Sequence, residues 1–212
     1  MKIVVFGATG GTGREIVNQA LQAGYQVRAA VRTPSKVQMT HANLEVFKAD
    51  IYDPVSVSAA IAAQEAVLSA VAPGGYSLTK KTDLFTQSAK SILHGMQDNN
   101  VQRLIIVSTA ARHGYSRENH PIFELILKRV FWRTLYANVV DMDDMVMASK
   151  TDWTLVRPPQ VIDKVQTGIY RNIVGKYAVP GGATIGRADL AAYMVSIIAD
   201  ERLYRQNVAI AY

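Results

Sequence analysis

The opening of the chain constrains it most. Met1-Lys2-Ile3-Val4-Val5-Phe6 runs directly into Gly7-Ala8-Thr9-Gly10-Gly11-Thr12-Gly13. Ile3 to Phe6 is an unbroken apolar run, the pattern of a strand buried on both faces. Arg14 to Ala23 then reads as a helix, with Ile16, Val17, Ala20 and Leu21 at helical spacing. A strand, a glycine-rich turn and a helix form the start of a dinucleotide-binding unit.

The physics of such a turn is specific. A phosphate needs backbone N–H groups aimed at it, and a helix N-terminus supplies them together with a favourable dipole. A β-carbon on the turn would hold a diphosphate away. Glycine removes that obstruction and permits positive φ. The four glycines, Gly7, Gly10, Gly11 and Gly13, are therefore the candidate cradle, with Gly13 letting the helix sit close to the strand. The spacing is Gly7-x-x-Gly10-x-x-Gly13, not the dehydrogenase G-x-G-x-x-G.

Composition sets the outer bounds. The chain has 212 residues, 49% hydrophobic and 19% charged, enough for one sizeable core. The expectation is a single α/β, Rossmann-like, doubly wound domain over 1–212 with a mostly parallel sheet and helices on both faces. Its substrate-side loops fall mainly in 109–136 and 157–185. No apolar run is long enough to span a membrane, and the first strand leaves no room for a leader peptide. The absence of cysteine removes disulfides and thiol nucleophiles and fits a cytoplasmic protein. The net charge of +6 is scattered, with no block resembling a nucleic-acid arm, so neither nucleic acid nor membrane is expected as a partner. Monomer and homodimer both remain open.

Cofactor choice is read at the end of the second strand, Gln26 to Val31. An enzyme preferring NAD places a carboxylate there for the ribose 2′-hydroxyl. No Asp or Glu occurs between Glu15 and Glu45; instead Arg32 stands at the strand end, with Ser35 and Lys36 behind it. A guanidinium can grip a 2′-phosphate, so NADP(H) is expected over NAD(H). Leu44 to Lys48 is a third strand. Asp50 follows it, placed either to bond adenine or to cap a turn, and Asp53-Pro54 starts a helix.

A fourth strand, Glu65 to Ala70, runs into Val71-Ala72-Pro73-Gly74-Gly75, a second small-residue turn beside the cofactor. A helix is read from Lys80 to Gln97, with Gly95 a tolerated flaw. The fifth strand, Arg103 to Val107, delivers Ser108 and Thr109 to the ligand edge. A polar loop covers 112–120, and a helix rich in apolar residues follows from Pro121 to Trp132. Asp141, Asp143 and Asp144 on the next helix lack the glycine and distal Glu of a calcium loop and read as a solvated face, with no metal expected. The sixth strand, Trp153 to Val156, ends in Arg157-Pro158-Pro159-Gln160. Arg187 and Asp189 open a last helix, and Val208 to Ala211 is a closing strand.

Taken together, the glycine turn, the Val31-Arg32 and Val107-Ser108-Thr109 strand ends and Trp153-Thr154-Leu155-Val156-Arg157-Pro158-Pro159 resemble atypical short-chain dehydrogenase/reductase proteins. The similarity is greatest to the NAD(P)H-binding group that includes biliverdin IXβ reductase/flavin reductase. NmrA-like proteins and small quinone reductases lie nearby. The resemblance spans essentially the whole chain. It implies that Gly7, Thr9, Gly10, Thr12 and Gly13 bind diphosphate, Arg32 the 2′-phosphate, and Asp50 and Ile51 the adenine. Ser108 would meet the nicotinamide and substrate edge, with Pro158 and Pro159 flanking the ring.

Two departures from these families matter. Tyr-x-x-x-Lys occurs only as Tyr76-Ser77-Leu78-Thr79-Lys80, before Ser108, where it cannot be the usual catalytic pair. The histidine that follows the two prolines in the flavin/biliverdin type is Gln160 here, which cannot shuttle a proton. The expected activity is therefore NADPH-dependent hydride transfer to a planar conjugated acceptor, a flavin or quinone, with the proton drawn from water. The alternatives are a non-catalytic NADP(H)-binding redox sensor of NmrA-like type and a nucleotide-sugar epimerase or dehydratase.

Overall fold

The computed structural model describes residues 1–73, 83–110 and 133–212, with side chains from 137 onward in the last stretch. The Gly74-Gly75 turn, the Tyr76 to Lys80 pattern, the 112–120 loop and the 121–132 helix lie outside the described residues.

The first half alternates strand and helix. It comprises β1 (Lys2–Phe6), α1 (Gly11–Gln22), β2 (Gln26–Val31), β3 (Leu44–Lys48), α2 (Pro54–Ile61) and β4 (Ala66–Ser69). The second half comprises α3 (Leu84–Asp98), β5 (Arg103–Val107), α4 (Arg133–Ala148), β6 (Asp152–Arg157), β7 (Gln160–Ile162), β8 (Arg171–Val174), β9 (Thr184–Gly186), α5 (Arg187–Ser196) and β10 (Gln206–Ala211). Eight strands form one sheet in the order β3-β2-β1-β4-β5-β6-β10-β8, and β7 pairs with β9 in a second. Among the described residues, only β8 runs antiparallel to its neighbour in the large sheet. This is the expected Rossmann-like order, which reverses direction between β1 and β4 and so opens a crevice at the carboxyl ends of those strands.

Both faces of the sheet are covered, as the unbroken apolar runs require. Alternate residues of a strand point to opposite faces. Ile3 and Val5 pack with Ile16, Val17, Leu190 and Met194 of α1 and α5. Val4 and Phe6 pack with Ile61, Ile92, Met96, Met142 and Val146 of α2, α3 and α4. Asp53 caps α2 as its Asp-Pro pair predicts, its carboxylate accepting from the Val55 N–H at 3.1 Å.

Some boundaries differ from expectation. The first helix starts at Gly11, not Arg14, because the last glycines of the turn already belong to it. The sixth strand extends through Arg157, which turns that side chain onto the α4 face. The segment 157–185, read as loops, contains β7, β8 and most of β9. Strands of three or four residues are too short to show a period. Gly95 is not a flaw: a β-carbon there would lie 2.9 Å from Ser58 Cα, so glycine lets α3 close on α2.

Arg103 shows how this core treats a buried cation. Its guanidinium donates to the carbonyls of Ile197, Ile198 and Asp152 and to Thr154 Oγ1, at 2.7–2.9 Å. Burial draws its pKa down to about 10, so it stays charged and neutralises the carboxyl end of α5.

Candidate active site at the carboxyl edge of the sheet

The glycine turn is built as its sequence requires. Gly7 sits at φ +79°, and a β-carbon on it would strike the Ala70 carbonyl oxygen at 2.6 Å. A β-carbon on Gly13 would lie 2.1 Å from the Gly7 carbonyl oxygen, so this glycine brings helix and strand together. Gly10 differs: the Gly7 carbonyl oxygen at 3.3 Å is all its β-carbon would meet within 4 Å, which leaves open space above the turn. Thr9 and Gly10 are exposed and Thr12 is half-buried. The first intrahelical bond runs from Arg14 N–H to Gly10 O, so the N–H groups of Gly11, Thr12 and Gly13 have no acceptor within the helix. An open, β-carbon-free cradle over unpaired amides fits a diphosphate.

Gly11 serves a different neighbour. Its β-carbon would meet Arg187 Nε at 2.6 Å. Glycine makes room there for a guanidinium of α5, which is in turn ion-paired with Asp163. The Gly11 amide remains part of the cradle, while its Cα face belongs to the protein.

At the adenosine end, Arg32 is exposed just beyond β2, followed by a 3₁₀ turn over Pro34–Lys36 that carries an exposed Ser35. The Asp50 carboxylate accepts from Tyr52 N–H at 3.1 Å, a turn-capping contact. Ile51 is buried against α2 and α3. Tyr52, which sequence reasoning passed over, is 50% exposed here. Burial and a hydrogen bond to Asp83 push its phenol up, against the opposing pull of the nearby Arg32. Nothing in its immediate sequence marks Tyr52; only the position after β3 could have found it.

The nicotinamide end is where the structure adds most. Parallel pairing of β5 and β6 continues past both strands, with Ser108 N–H donating to Val156 O and Ala110 N–H to Pro158 O. Ser108, Thr109, Pro158 and Pro159 are thereby held side by side. Ala72 is exposed on the neighbouring turn.

Asp143 is a correction. Expected on a solvated face with Asp141 and Asp144, it is 0% exposed, while the other two are exposed. It accepts from Ser108 Oγ at 2.7 Å and from Arg157 Nη1 at 2.7 Å. Arg157 is fully buried as well; its Nε donates to Asn207 Oδ1 at 2.8 Å, and the second Nη1 hydrogen is shared between Ser108 Oγ and Thr109 O, each at 3.1 Å. Its Nη2 makes no hydrogen bond among the described residues, and the guanidinium lies over the Tyr177 ring at 4.5 Å. A buried carboxylate is tolerable only when paired, and Arg157 is that pair.

A strap over residues 163–170 flanks the site. Asp189, buried at the start of α5, accepts from the Thr167 and Gly168 N–H groups, from Thr167 Oγ1 and from the Tyr212 hydroxyl. Burial alone would raise its pKa, but these bonds together hold it below the usual carboxylate value.

The sequence profile of the NAD(P)H-binding family matches residues 7–201, the cradle included. This chain belongs to that family. The assignment agrees with the resemblance to atypical short-chain dehydrogenase/reductases. Among solved structures of this fold, a Burkholderia pseudomallei protein superposes with TM-score 0.80 at 28% identity over 100% of both chains. The anaerobillin reductase ChuY of Escherichia coli O157:H7 superposes with TM-score 0.79 at 19% identity, over 100% of this chain and 97% of that one, and shares the fold. Dihydroflavonol 4-reductase of Hordeum vulgare is 29% identical over 136 residues, 58% of this chain and 38% of that protein. The chain thus spans well under half of that relative. The NAD(P)H-binding assignment agrees with the Rossmann-like strand order. Among the described residues no helix is long and apolar enough to cross a membrane.

Proposed function

We propose that this NAD(P)H-binding protein is an NADPH-dependent reductase that passes hydride to a planar conjugated acceptor, a flavin or a quinone. The observation that carries the reading is the cradle: open space over Gly10, unpaired amides on Gly11 to Gly13, and a free-standing Arg32 at the end of β2 with no carboxylate nearby in sequence. NADPH supplies the hydride when bound. Arg32 and Ser35 take the 2′-phosphate, and the position of Asp50, Ile51 and the exposed Tyr52 suits the adenosine. Ala72, Thr109, Pro158 and Pro159 flank the nicotinamide.

On the acceptor side the protein contributes position; a well-placed donor needs little more. Tyr136 on α4 is followed four residues later by Val140, so this helix offers no Tyr/Lys proton donor. Gln160 after the prolines is exposed and cannot titrate. An acceptor that takes its proton from water fits such a site. Steady-state NADPH oxidation with flavin mononucleotide and with a small quinone tests the reading. Turnover with either supports a reductase, and binding of NADPH without turnover of any acceptor supports a redox sensor instead.

A further inference from the structure

The buried Ser108–Asp143–Arg157 network has a consequence for what Ser108 can recognise. A serine hydroxyl has one donor and two acceptor positions. The donor goes to Asp143 Oδ1 at 2.7 Å, and one acceptor position is filled by Arg157 Nη1 at 3.1 Å. A carboxylate held by a guanidinium only accepts, so the hydroxyl hydrogen has no competing direction. Arg157 bonds both Asp143 and Ser108, which fixes the rotamer of the serine as well. Ser108, at the end of β5, is 9% exposed, and with its hydrogen and one lone pair engaged its hydroxyl has a single lone pair left.

We infer that Asp143 is a specificity-determining positioning residue: it fixes Ser108 as a hydrogen-bond acceptor, so the acceptor substrate presents an N–H or O–H to it, not a bare carbonyl. The inference rests on the reductase reading and refines its substrate class. The serine of a carbonyl-reducing site donates to the substrate oxygen; here the donor is already spent inside the protein. Among planar acceptors this favours rings with an imide-type N–H beside their carbonyls over simple quinones.

The test uses two flavins of nearly equal intrinsic reactivity, lumiflavin and 3-methyllumiflavin, which differ in one ring N–H. With NADPH as donor, wild-type protein is expected to favour lumiflavin in kcat/KM by about tenfold, the loss of one hydrogen bond to a buried partner. The double variant Asp143→Leu/Arg157→Met removes the pair together, keeps the site filled and frees the hydroxyl to donate. Its preference should fall to within about twofold. Ser108→Ala should also lose the preference and Ser108→Thr should keep it, readouts that stand even if the double variant does not fold. A wild-type ratio near one, or a tenfold ratio unchanged in the folded double variant or in Ser108→Ala, overturns the inference while leaving the reductase intact. Failure of wild-type protein to oxidise NADPH with lumiflavin and with the quinone menadione overturns the parent reading, and the inference falls with it.

Discussion

Gly13 and Gly7 touch so closely that a single methyl on Gly13 would sit 2.1 Å from the Gly7 carbonyl oxygen. The glycines of the turn therefore divide into two kinds. Gly13→Ala should destabilise the fold by about 3 kcal/mol through overpacking. Gly10→Ala meets only that same oxygen at 3.3 Å, so it should cost no more than about 1 kcal/mol while placing a methyl in the cradle. Denaturant melts paired with NADPH titration check the contrast. Gly10→Ala should stay folded and lose nucleotide, whereas equal destabilisation of both variants would contradict it.

Arg32→Ala should weaken NADPH by about ten- to a hundredfold, the worth of charge-assisted bonds to a phosphate, and NADH by less than about twofold. Dissociation constants for both nucleotides measure this. Equal weakening of the two would refute the 2′-phosphate role of Arg32.

On the proposed acceptor-side role, Ser108→Ala should lower turnover about tenfold and leave NADPH affinity nearly intact. A large loss of affinity at unchanged turnover would contradict that placement.

The buried pair should show the asymmetry of buried charges. Arg157→Met alone removes the guanidinium that holds the fully buried Asp143 carboxylate at 2.7 Å and should cost about 3–5 kcal/mol, whereas Asp143→Leu/Arg157→Met together should cost far less. Unfolding free energies of the two variants and wild type provide the comparison.

How much of this was legible beforehand follows from where the forces act. The β1–turn–α1 unit could be read because an apolar run and glycine spacing are local signals. The doubly wound class followed from the alternation of elements, and the Asp53-Pro54 cap from its own dipeptide. Asp143 could not be read: its burial depends on Arg157 from a different strand and Ser108 from another. Among three acids on one helix, the sequence has no mark for the one that turns inward. Gly95 was misjudged, and the second role of Gly11 went unread, for the same reason, since their contacts are Ser58 and Arg187, distant in the chain. The antiparallel edge strand β8 was hidden by its four residues.

The strap gives a pH prediction. The folded-state pKa of Asp189 is lowered, so its stabilisation is present above the ordinary unfolded value of about 3.9 and is lost as pH falls through the lower folded value. Wild-type protein should therefore exceed Asp189→Asn in stability by roughly 2 kcal/mol from pH 5 to 8, and the gap should close only below about pH 4. Hydrogen exchange at the Thr167 and Gly168 amides should report the same release. A gap that widens on acidification would contradict the assignment.

The central claim is that the uncovered amides after β1 hold a diphosphate and that Arg32 reads one additional phosphate. Calorimetric titration of the purified protein tests it most directly. The account predicts saturable heat with NADPH and at least about tenfold weaker binding of NADH. The absence of heat with both nucleotides would contradict it.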